Sequence, residues 1–201
     1  MSKPANYIDK YSVLADTVYI FGSSAVFLLL FTVSRMLLMV RNIGLTADIP
    51  VSDLLLSYVI GFRFDLIVTG YTMMPLLAGM FFPSGLYHRK LWNLWLGFAL
   101  ILFSFLAVLE LDFYYEFHTR LNSLVFQYIK EDPKTVISML WYGFPVIRYL
   151  LLCGLIAGST IAVLRLVDRR TRKPDTNHRY RSRLLIAIVL MLLSLVSMRG
   201  T

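Results

Sequence analysis

The 201 residues hold one cysteine and three histidines. A single Cys153 excludes an internal disulfide, and with it a disulfide-stapled secreted domain. It lies in an apolar run and reads as a small packing residue. His88, His118 and His178 sit in separate segments, and the topology derived below puts them on two sides of a membrane. A shared metal site is therefore excluded by that topology. Catalytic motifs are missing as well: there is no G-x-S-x-G, Walker loop, G-x-G-x-x-G or H-E-x-x-H. No internal repeat is evident, which removes support for an inverted-repeat transporter. Charge is scarce, at 16% of residues against about 25% in soluble domains. What replaces it is apolar. Hydrophobic residues make up 58%, against roughly 45–50%, and the mean hydropathy is +0.67. A soluble core of this size could not hide so much apolar surface, so the excess faces lipid.

Five apolar runs, at about 19–40, 54–82, 92–111, 144–167 and 184–198, predict an all-α membrane protein with five transmembrane helices in one domain over 1–201. The last run has 15 residues, short of the ~20 that cross a bilayer core. Flanking residues or helix tilt must supply the rest. The N-terminus lacks the basic patch, short apolar core and small-residue cleavage site of a signal peptide.

Loop charge sets the orientation. Residues 168–183 carry seven basic and two acidic side chains, more than half of the chain's net +8. Residues 83–91 carry Arg89 and Lys90 without an acid. Residues 41–53 and 110–145 are net acidic. The basic loops are cytoplasmic, which puts the N-terminus inside and the C-terminus outside. No base-stacking aromatics interleave the basic loop, so it does not read as a nucleic-acid site.

The third loop is patterned. Phe113, Phe117, Leu121, Leu124 and Tyr128 share one helical face. They predict an interfacial amphipathic helix over about 113–132, ended by Pro133, with a second piece at 134–142. Gly154, Ala157 and Gly158 read as a close helix contact of the small-xxx-small kind.

Charges inside apolar runs need partners. Arg63 and Asp65 sit in GFRFDL. Positions i and i+2 do not share a helix face, so each should pair with another helix. Arg35, Arg41, Glu110, Asp112, Arg148 and Arg199 all fall at the outward ends of spans. An outer polar pocket follows, with Arg63–Glu110 or Arg63–Asp112 as the expected pairs. Its two readings are interhelical ion pairs that fix packing and a site for an anionic lipid headgroup, which guanidinium grips well.

The runs GFRFDL (61–66), LDFYYEFHTRLN (111–122) and YIKEDPKTV (128–136), with the closing RGT (199–201), resemble the membrane domain of lipoteichoic-acid-synthase-like phosphoglycerol transferases of the alkaline phosphatase (sulfatase) superfamily. Related phosphoethanolamine transferases share the five-span plan. The resemblance implies a multi-pass domain of the bacterial inner membrane that anchors an extracytoplasmic catalytic domain and presents a lipid donor, phosphatidylglycerol. It implies a divalent metal, typically manganese, in that catalytic domain. No residue here matches the nucleophile or the metal ligands, so this stretch should be inactive alone and holds no cofactor of its own. The residues expected to hold a headgroup are Arg63, Asp65, Glu110, Asp112, Glu116, His118 and Arg120, with Arg35 and Arg148 as second choices. The competing reading is a small transporter or channel subunit that uses Arg63 and Asp65 along its path.

Overall fold

The computed structural model describes residues 13–46, 49–82, 86, 88–117, 134, 138, 141, 146–171 and 180–199. Among them there are only helices: α1 (Val13–Arg41), the single turn α2 (Ile43–Thr46), α3 (Val51–Met80), α4 (Arg89–Phe117), α5 (Val146–Thr171) and α6 (Tyr180–Arg199). Three are long and apolar enough to cross a membrane: α1, residues 89–111 of α4, and α5. The 30-residue α3 carries Arg63, Asp65 and Pro75, and the apolar part of α6 is limited to residues 184–197. Polar residues 180–183 lengthen α6 to 20 residues, as the short fifth run requires.

Each long helix shows lipid-type exterior chemistry. Leu14, Val51, Leu94, Leu151 and Val196 are exposed. A soluble monomer does not leave such apolar surface to water on every helix. Small hydroxyls satisfy themselves along the backbone. Thr17, Ser24, Thr32, Ser34 and Thr72 each donate to the carbonyl four residues back.

Helix α1 is the centre of the bundle. It packs against α3, α4 and α5, while α6 lies along α3 and α5 along α4. Tyr19, Ile20, Phe27 and Leu30 of α1 meet Met73, Leu76 and Leu77 of α3 and Leu96 and Leu100 of α4 in one core. Phe103 stands edge-on to both Phe27 and Phe31, with centroids at 6.1 and 5.3 Å, the favoured aromatic geometry.

Cross-helix contacts fix the directions. Asp16 and Tyr19 of α1 meet Arg89 and Asn93 of α4, so these two helices run the same way. Arg35 of α1 meets Asp65 of α3 and Met39 meets Tyr58, so α3 runs the opposite way. Asn93 of α4 meets Asp168 of α5, so α5 also runs opposite to α4.

Pro75 lies inside α3, where it removes one backbone donor. The Trp95 indole donates to the Thr72 carbonyl in that turn, at 3.0 Å. Asn42 closes the other end of α1. Its backbone and side-chain N–H groups both reach the Leu38 carbonyl.

Two expectations are refined here. Helix α4 continues without a break to Phe117, so residues 113–117 extend the third run instead of opening a separate helix. No Gly or Pro falls between 110 and 117 to break it. The rest of the 113–132 helix, and all but positions 134, 138 and 141 of the second piece, lie outside the described residues. Gly154 and Gly158 face open space, and only Ala157 of that trio is buried. The close approach of α5 is at Gly22 of α1, where a Cβ would stand 2.6 Å from a Val167 methyl.

The Asp16 end is tied by a buried chain of polar groups. Arg89 donates to Asp16 at 2.6 Å, and both side chains are 1% exposed. The same guanidinium lies 3.8 Å from the Tyr19 ring centre, a cation–π distance. The Tyr19 hydroxyl donates to Asn93 at 2.7 Å, and Asn93 donates to Asp168 at 2.7 Å. Helices α1, α4 and α5 are thus held in register. Arg89→Met should destabilise the protein by roughly 3 kcal/mol or more, because it strands a buried carboxylate. Asp16→Leu added to Arg89→Met should recover most of that loss. Thermal unfolding in mild detergent reads both. An additive double mutant would show that the pair does not act as a unit.

Candidate functional site

At the opposite end of the bundle, α1, α3 and α4 surround a pocket of about 370 Å³. Helix periodicity builds its walls. Phe31, Ser34, Arg35 and Leu38 follow i, i+3, i+4, i+7 spacing on α1. Phe103, Leu106, Ala107, Glu110 and Leu111 do the same on α4. Asp65 of α3 completes the lining. Both spacings place their residues on one helix face. The edge-on Phe27, Phe31 and Phe103 rings lie between this pocket and the Asp16 end.

The GFRFDL motif explains how Asp65 arrives there. Gly61 and Asp65 are four residues apart and share a face. Arg35 crosses from α1 into that face. Its Nη2 donates to both Asp65 oxygens, at 2.8 and 2.9 Å, and its Nη1 reaches the Tyr58 carbonyl at 3.4 Å. The guanidinium carbon lies 5.9 Å from the centre of the Tyr58 ring. A Cβ at Gly61 would collide with the guanidinium. Gly61 is therefore the slot and Asp65 the anchor of one interhelical ion pair, with side chains 15% and 10% exposed.

This corrects the expected pairing. The Asp65 partner is Arg35, a second choice in the sequence reading. Arg63 takes the other face of α3, where its neighbours Val59 and Ile60 are also exposed. It is exposed and lines no part of the pocket. The expected Arg63–Glu110 pair is not formed, because i+2 spacing from Asp65 turns Arg63 away from the pocket wall that holds Glu110. Asp65 does pair with another helix, as the spacing argument requires.

Of the remaining expected site residues, Glu110 is half-buried in the pocket wall. Arg148 is exposed in the first turn of α5. Asp112 and Glu116 belong to α4, but their side chains lie outside the described residues, as do His118 and Arg120. Among the described residues, no three His, Cys, Asp or Glu side chains gather as a metal site.

Sequence reasoning missed the Asp16 end altogether. Arg89 reads as a loop charge beside Lys90, yet it is buried against Asp16 and Tyr19. The available signal was Asp16 itself, an acid in the first turn of an apolar helix.

No family model matches the chain, and no curated protein or solved structure is found to be similar to it.

Two glycine substitutions separate the slot from ordinary helix propensity. Gly97 of α4 has nothing near a built Cβ, so Gly97→Ala should stabilise by up to about 1 kcal/mol. Gly61→Ala should lower stability instead, because the methyl displaces Arg35 from Asp65. In an Asp65→Asn background the Gly61→Ala penalty should shrink. Unfolding curves for the four variants test this. A stabilising Gly61→Ala would contradict the slot.

Proposed function

We propose that this chain is a multi-pass membrane domain that holds a phospholipid at its outward pocket and anchors an extracytoplasmic transferase domain. The observation that carries the reading is the pocket's position. It lies between α1, α3 and α4 at the end of the bundle opposite Arg169 and Arg170, which close α5 beside Asp168. Basic residues at helix ends favour the cytoplasmic side, so the pocket faces outward. Its apolar walls suit the start of a lipid's acyl chains, and its three charged side chains suit a polar headgroup. The resemblance to phosphoglycerol transferases makes the reaction a transfer of a lipid headgroup to a cell-envelope acceptor. The chemistry would reside in the catalytic domain, with this domain serving as anchor and donor holder. On this reading all five long helices cross the bacterial inner membrane.

The transporter or channel alternative gains no support from the charge distribution. Among the described residues, the buried charges gather at two ends. Phe27, Leu30, Leu96 and Leu100 fill the core between them. A conducting path would need polar groups along its length.

Orientation is the first test. Cys153 is replaced by Ser, and a single cysteine is placed at Thr201 or at Asp175. A membrane-impermeant maleimide applied to intact spheroplasts should label the first variant and spare the second until lysis. Labelling of the second alone would turn the pocket inward and overturn the reading.

A further inference from the structure

Arg63 is exposed on α3, and among the described residues it makes no ion pair, hydrogen bond or ring contact. Its surroundings are apolar. Val59 and Ile60, one turn before it on the same face, are exposed, and so are Phe62 and Phe64 beside it. A charge on an apolar face that lies against lipid is costly until an anion reaches it. We infer that Arg63 holds the phosphate of a phospholipid on the lipid-facing side of α3, a site separate from the pocket, with anionic headgroups preferred; this rests on the reading that α3 crosses the membrane and not on lipid occupying the pocket.

The acids of the same helix do not serve Arg63. Gly61 and Asp65 lie on the inner face, where Arg35 fills the slot and takes the carboxylate. Two residues from either, Arg63 points the other way. Asp53, the other acid of α3, stands ten residues away, or about 15 Å along the helix.

Helix geometry sends the arginine toward a membrane surface. Side chains on a helix lean toward its N-terminus. The N-terminus of α3 lies at the pocket end of the bundle, since α3 runs opposite to α1. Arg63 starts about 3 Å closer to that end than Asp65, and its long aliphatic stem carries the guanidinium further the same way. This is the snorkelling route by which a charged head reaches the edge of a bilayer.

The ligand follows from the same chemistry. The guanidinium offers five donors in a planar fork that matches phosphate oxygens two at a time. A headgroup without an ammonium presents its phosphate uncontested, whereas choline carries its own cation beside it. The exposed apolar side chains around Arg63 suit acyl chains, which a free anion lacks. A phospholipid thus brings both the anion and the apolar cover that this face requires.

The test places a photoreactive amino acid at Ile60, in purified protein held in nanodiscs of equimolar phosphatidylglycerol and phosphatidylcholine. Adducts are identified by mass spectrometry, with Leu151 on the exposed face of α5 as the reference position. Phosphatidylglycerol should be enriched at Ile60 about fivefold relative to Leu151, the scale of one basic side chain beside anionic lipid. Arg63→Gln should bring the Ile60 ratio to that of Leu151, while thermal unfolding in detergent matches wild type. Ala107→Trp, which fills the pocket, should leave the Ile60 enrichment unchanged. Its loss there would assign the signal to pocket lipid and overturn the separate site. Excess inorganic phosphate should leave the enrichment in place, and its displacement would show that phosphate alone suffices and overturn the lipid assignment. Equal ratios at the two positions, no lipid at Ile60 alone, or enrichment that survives Arg63→Gln would overturn the site and leave the pocket reading intact. A lowered unfolding temperature for Arg63→Gln would make the arginine a structural partner, and an adduct with protein in place of lipid would put a second chain on this face; each overturns the inference. Absence of lipid at both positions would overturn the membrane reading itself.

Discussion

A charge held among apolar helices must find its partner inside the protein, and that constraint organises this bundle. Helix α1 carries one such charge near each end. Asp16 takes Arg89 from α4, and Arg35 takes Asp65 from α3. The two positions are 19 residues apart, or about 28 Å along the helix. That is close to the ~30 Å thickness of a bilayer's hydrocarbon core. The ion pairs therefore fix both the register of the helices and the two levels at which polar chemistry collects. Between them the bundle is sealed by aliphatic side chains and the edge-on Phe27, Phe31 and Phe103 rings.

The two pairs differ in what surrounds them. The Asp16–Arg89 pair is closed on every side, stacked on Tyr19 and continued through Asn93 to Asp168. It acts as a clamp. The Arg35–Asp65 pair borders a cavity and is slightly open. The same kind of interaction thus fastens one end of the bundle and lines a cavity at the other. Gly61 makes the second arrangement possible, since any side chain there would occupy the space of the guanidinium. Its lack of a side chain costs helix propensity, and the ion pair offsets that cost.

Much of the helical layout was legible in the sequence because long apolar runs leave little choice of structure. The helices at 13–41, 89–117 and 180–199 each contain one run, and the 30-residue α3 and the helix at 146–171 contain most of the second and the fourth. The site was legible only in part. Arg35, Asp65 and Glu110 stood among the candidates, and periodicity correctly denied an Arg63–Asp65 pair. Which arginine reached Asp65 depended on the rotation of α3 about its axis, and a single charge pattern does not specify that angle. Gly61 held the missing information, four residues before Asp65 on the same face. Arg89 was misread for a related reason. A basic residue beside Lys90 at a helix start looks like a loop charge until a neighbouring helix brings an acid to it.

The central proposal is that the pocket between α1, α3 and α4 holds a phospholipid, and site-specific photo-crosslinking tests it most directly. A photoreactive amino acid is placed at Ala107 in the pocket wall or at Leu151 on the exposed face of α5. The protein is irradiated in membranes and again after exhaustive detergent washing. The account predicts a phospholipid adduct at both positions in membranes and at Ala107 alone after washing. Equal loss of the adduct at both positions would show that the pocket has no more hold on lipid than the outer surface of the bundle, and would contradict the account.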